Sequence, residues 1–75
     1  SPELSSDRRE AQRATAEALK ALSERHRKAI LLRHLEGYEV PEIAYVLNGT
    51  EEQAEQWLLE GETKLQDRLG EWRGI

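Results

Sequence analysis

Seventy-five residues make one small domain or a piece of a longer chain, and a core of that size is only marginally stable by itself. There is no cysteine and no His/Cys/Asp cluster at ligand spacing, so disulfides and a structural metal are excluded as staples, and the formal net charge is −4. No apolar run approaches the roughly 18–20 residues that span a bilayer, and no signal-peptide pattern is present. The expectation is a soluble, cytoplasmic protein that uses no cofactor and contacts no membrane.

Strand patterning is missing, because no segment alternates apolar and polar residues. Ala, Leu, Glu, Gln, Lys and Arg dominate, and they favour helix. The composition reads as all-α. Charge is unevenly spread: residues 1–28 carry seven Lys/Arg against five Asp/Glu, whereas residues 51–75 carry three against seven.

Residues 1–6 read as a flexible lead-in and residues 7–70 as the helical domain. Ser5 or Ser6 suits the cap of a first helix starting near Asp7. In it Ala11, Ala14, Ala18 and Leu22 recur at helical spacing, with Thr15 and Leu19 widening the stripe. Ser23 suits the cap of a second helix that runs to about Glu36 and closes at Gly37. Ala29-Ile30-Leu31-Leu32 and Leu35 are apolar over most of its circumference, as in a helix buried within a small bundle. His26 and His34 share no carboxylate motif and read as surface or helix-end histidines.

Pro41 falls in the first turn of a third, short helix, where its missing N–H costs nothing. Ile43, Ala44, Val46 and Leu47 give that helix a buried side, and Asn48-Gly49 ends it. Thr50 and Gln53 form a capping box for a fourth helix, Glu51 to Leu69. Ala54, Leu58, Gly61, Leu65 and Leu69 line one face of it, with Trp57 and Leu59 on opposite flanks. Gly61 costs about 1 kcal/mol against Ala in a helix, which close approach of a neighbouring helix would explain. Gly70 suits the final cap, and residues 71–75 form a short tail. A short helix and a tight turn leading into a longer helix is the plan of a helix-turn-helix.

The pattern Leu22 with Arg27, Ile30-Leu31-Leu32, Leu35-Glu36-Gly37-Tyr38, Glu42-Ile43-Ala44, Val46-Leu47, Gly49-Thr50, Ala54, Leu58 and Lys64-Leu65 with Leu69 resembles region 4 of the sigma-70 family of bacterial transcription initiation factors, especially the extracytoplasmic-function type. It covers roughly residues 19–69. The resemblance implies a compact four-helix domain whose last helix enters the major groove of the −35 promoter element. It further implies contacts with the flap of RNA polymerase and with anti-sigma factors. By that match Arg27, Gln53, Glu55, Gln56, Trp57 and Glu60 face nucleic acid.

Glu55, Trp57, Glu60 and Glu62 stand where the family typically carries Lys or Arg. Counted from Glu51 to Leu69, the fourth helix has six acids and two bases. Carboxylates in a groove face a polyanion with no counterion to release. The fourth helix therefore points to protein contacts, as in sigma-like domains of general-stress regulators that bind an anti-sigma factor in the sigma factor's place. The alternative is a working region 4 that binds promoter DNA and polymerase. Trp57, Leu59, Glu62 and Trp72 are the candidate interface residues; the competing reading of the two tryptophans is packing against the first helix or the tail. A homodimer is compatible with exposed Trp57 and Leu59. No nucleophile–base pair, phosphate loop or metal set points to an enzyme.

Overall fold

The computed structural model describes residues 2–70, with side chains from residue 9 onward. Four helices follow one another: α1 (Pro2–Ala21), α2 (Glu24–His34), α3 (Val40–Leu47) and α4 (Glu51–Leu69). No strand occurs among the described residues. α4 is the spine, since each of the other three helices packs against it.

The helix ends follow local chemistry. Ser23 Oγ accepts from the His26 N–H and caps α2. Pro41 opens α3, and Glu42 Oε1 accepts from the Glu39 N–H at 2.9 Å. At α4 the capping box is complete: Thr50 Oγ1 accepts from the Gln53 N–H at 3.1 Å, and Gln53 Oε1 accepts from the Thr50 N–H at 2.9 Å. Gly70, at φ 76°, ends α4.

Several boundaries differ from expectation. α1 begins at Pro2, so residues 2–6 continue the helix and Ser5 and Ser6 lie within it. Proline at a helix start forfeits an N–H that has no intrahelical partner anyway, which makes Pro2 a competent start. α2 stops at His34, two residues before Glu36. The chain then turns through Gly37 at φ 72°, and Arg33 Nη1 donates to Tyr38 O at 3.2 Å across the turn. At the end of α3 it is Asn48, not Gly49, that adopts the left-handed conformation (φ 58°, ψ 48°). The short amide side chain makes Asn the best non-glycine residue for that position. The tail 71–75, with Trp72, lies outside the described residues.

The core has two parts. Ala18, Leu19, Leu22, Ile30 and Leu65 join α1, α2 and α4, with Leu31, Leu58 and Leu69 packed against them. Ala29, Ile43, Ala44, Leu47 and Ala54 join α2, α3 and α4, with Leu32, Tyr38, Val40, Trp57 and Leu58 around them. Gly61 explains how α2 and α4 come so close. A Cβ there would sit 3.1 Å from Ile30 Cγ1, tighter than normal contact.

Three apolar expectations fail. Ala11 and Ala14 are exposed, because the described part of α1 buries only Ala18 and Leu19, followed by Leu22 just beyond its end. Leu35 and Val46, expected in the core, are 61 % and 51 % exposed. Helices α2 and α3 each bury one side, and a four-helix domain has nothing left to cover the other.

Ile30 is fully buried and touches the close-approach site. Ile30→Ala should lower the unfolding free energy by about 2–5 kcal/mol, enough to unfold much of so small a domain. Leu59→Ala, on the outer side of α4, should stay within about 0.5 kcal/mol. Urea denaturation of dilute protein followed by circular dichroism checks both.

Candidate functional site

Of the residues that the sequence assigned to a reading surface, Gln53, Glu55, Gln56 and Glu60 are exposed on α4, while Arg27 and Trp57 are half-buried. Trp57 is half-buried against the second core cluster rather than a free anchor. Its indole covers the turn between α3 and α4: a Cβ on Gly49 would lie 2.7 Å from Trp57 Cη2. On the indole sits the Arg25 guanidinium, 5.0 Å from the ring centroid, a cation–π contact. Arg25 Nη1 also donates to Leu47 O at 2.7 Å, capping the exit of α3. One arginine and one tryptophan thus fasten α2, the turn and α4 together.

The two histidines are not isolated. His26 Nε2 lies 3.0 Å from Glu60 Oε1, and His34 Nε2 lies 3.4 Å from Glu62 Oε1. A carboxylate only accepts, so each Nε2 carries the hydrogen. His26 Nδ1 is engaged as well, 2.5 Å from Ser23 Oγ. Sequence distance hid these pairs, since 34 and 28 residues separate the partners. Glu60 and Glu62, placed on the expected reading and interface surfaces, are instead turned back on α2.

Of the remaining assigned residues, Gln53 spends its amide oxygen on the cap of α4. Arg27 is half-buried on α2; its N–H donates to Ser23 O at 2.9 Å, and its side chain makes no hydrogen bond or ion pair among the described residues. Glu55, Gln56 and Leu59 do face outward, and Leu59 is 67 % exposed. The outward line of α4 from Glu51 to Thr63 therefore presents Glu51, Glu52, Glu55, Gln56, Leu59 and Thr63, with no cation.

A second surface escaped sequence reasoning. Tyr45 is 88 % exposed, and with Tyr38, Pro41, Glu42 and Val46 it lines a shallow apolar depression. Leu31, Leu32, Val46 and Leu47 continue it toward α2 beside Lys28. The signal was available: among the eight residues of α3 only Glu42 is charged, and Ile43, Ala44 and Leu47 already fill its inner side. Among the described residues no group of three or more His, Cys, Asp or Glu could hold a metal. No helix is long and apolar enough to cross a membrane.

Hydrogen bonding to His26 holds the Glu60 carboxyl below its ordinary value of 4.5, against a smaller opposing effect of burial. A carboxyl with a depressed folded-state value adds stability above its unfolded value and loses it as the pH falls through the folded one. Thermal melts between pH 7 and pH 3 should therefore fall more steeply below pH 4.5 for the wild type than for Glu60→Gln. Parallel curves would show that the His26–Glu60 contact is not formed in solution. Gly49→Ala should force Trp57 off the turn at a cost of about 1–3 kcal/mol, read as a shift in tryptophan fluorescence together with a lower unfolding midpoint.

The geometry is that of a helix-turn-helix with α3 and α4 joined through Asn48-Gly49 and braced by α2. A family model described as Sigma-70, region 4 matches residues 12–65. No curated protein and no solved structure matches the chain. Family match and helix arrangement agree over most of the sequence, and the chain belongs to the sigma-70 region 4 family.

Proposed function

We propose that this region 4 domain serves bacterial transcription mainly through contacts with proteins, an anti-sigma factor or RNA polymerase, with weak or no reading of DNA. Region 4 is a transcription-regulatory domain and not a catalytic family, and its members interact with RNA polymerase and with DNA. The observation that carries the reading is the outward line of α4, which has acids and no base from Glu51 to Thr63. A helix laid in a major groove gains affinity from cations on phosphate, and base contacts specify only after that affinity is supplied. Glu can accept from cytosine N4 and Gln can read adenine, but both need the helix already seated.

The bracing of the domain supports the same reading. Arg25 is held by Trp57 and by Leu47 O, and Gln53 is committed to the cap. Two apolar features remain open to a protein: Leu59 on α4, and the face around Tyr45 and Val46. Exposed aromatic side chains concentrate binding energy at protein interfaces.

Fluorescence anisotropy with duplex DNA tests this. The wild-type domain should show no binding at physiological salt and at most weak binding at low salt. Glu55→Lys combined with Gln56→Arg and Leu59→Lys replaces outward residues without touching the core. It should raise DNA affinity at least about tenfold at low salt and steepen the salt dependence. Salt-sensitive micromolar binding by the wild type would instead favour a working reader of the −35 element. Binding to core RNA polymerase, measured in parallel, should weaken on Tyr45→Lys, which leaves the α4 surface intact.

A further inference from the structure

Two lines of side chains on this domain complement each other, and neither makes an ion pair among the described residues. On α1, Arg9, Arg13, Ala16 and Lys20 recur at steps of four, three and four residues, and all four are exposed. At about 100° per residue they point the same way. None of the three cations makes an ion pair among the described residues. On α4, Glu52, Gln56, Leu59 and Thr63 recur at the same steps and are exposed, with Glu55 beside them. Neither Glu52 nor Glu55 has an ion-pair partner among the described residues. The described part of α1 before Ala18 buries no residue, so that length of helix is open to a neighbour.

We propose that a second copy of this chain covers both lines, with α1 of one protomer lying along α4 of the other and the contact repeated by a two-fold axis. Steps of four and three residues are the spacing by which two helices meet along a seam. With the two helices parallel and Ala16 opposite Leu59, Arg9 and Arg13 fall opposite Glu52 and Glu55, and Lys20 falls opposite Thr63. Leu59 packs on Ala16 and on the aliphatic stems of the arginines, which cover apolar surface while their heads stay in water. The net charge of −4 on each copy opposes association at long range, so the contact is short-range and sensitive to salt. In the dimer the outer line of α4 is covered, so self-association competes with any partner seated there.

Sedimentation equilibrium over a range of protein concentrations tests this without any other partner. At about 20 mM salt the average mass should rise from 8.6 kDa toward twice that value. At about 300 mM salt the rise should weaken, as the screening length falls from roughly 20 Å to roughly 6 Å. Arg9→Glu with Arg13→Glu should raise the dissociation constant at least about tenfold, and so should Glu52→Lys with Glu55→Lys. Mixed together, these two variants should associate again, because each supplies the charge that the other's opposite line needs. A monomer at every concentration overturns the proposal, as does a dimer indifferent to both reversals or a mixture that fails to associate. A monomer whose Arg9, Arg13 and Lys20 line binds duplex DNA instead overturns it in favour of nucleic acid. Circular dichroism spectra matching the wild type show that the exposed substitutions leave the helices in place.

Discussion

The contact on which this domain turns is the one between Ile30 and Gly61. Because Gly61 has no Cβ, α4 lies close enough to α2 for the Ile30 side chain to rest on its backbone. Ile30 is completely buried there, and burying such a side chain stabilises by about 1.5–3 kcal/mol. That exceeds the roughly 1 kcal/mol that glycine costs inside a helix. The polar contacts are arranged about the same point. His26 and His34 lie one turn before and after Ile30, while Glu60 and Glu62 are the immediate neighbours of Gly61. The crossing that brings Ile30 onto Gly61 therefore brings each imidazole to a carboxylate. A larger residue at position 61 would part the helices and both His–Glu pairs together.

A second fastening sets the angle of the helix-turn-helix. Gly49 leaves the space that the Trp57 indole fills, and Arg25 closes over the ring while binding Leu47 O. The consequence is chemical as well as mechanical. Trp57 draws in the Arg25 guanidinium from α2 as a structural partner, and Arg25 is committed to that packing.

Much of this was legible in the sequence because it is local. Ser23, Pro41, Thr50 with Gln53, and Gly70 mark helix ends through contacts spanning three or four residues, and each does so in the structure. The inward face of α4 was legible from the spacing of Ala54, Leu58, Gly61 and Leu65. What was not legible depends on lateral placement. Nothing within three or four residues of His26 announces Glu60, so the histidines read as isolated. Leu35 and Val46 read as core because apolar residues in a helix are expected to be covered, but this domain has too few helices to cover them. Tyr45 escapes for the same reason, and residues 2–6 read as a lead-in because Ser5 and Ser6 suit a cap, although α1 starts at Pro2.

The inner and outer faces of α4 answer to different constraints. Ala54, Gly61 and Leu65 are buried and hold α1, α2 and α3. Glu52, Glu55, Gln56, Leu59 and Thr63 are exposed and belong to neither core cluster, so substitution there leaves the stability nearly unchanged. The fold therefore places no demand on the sign of the outer charge. Glu60 and Glu62 belong to neither class. They sit at the border, half turned toward α2, where a carboxylate meets an imidazole and a lysine or arginine would meet it with like charge once the ring is protonated. At those two positions the acidic residues are favoured by the histidines behind them.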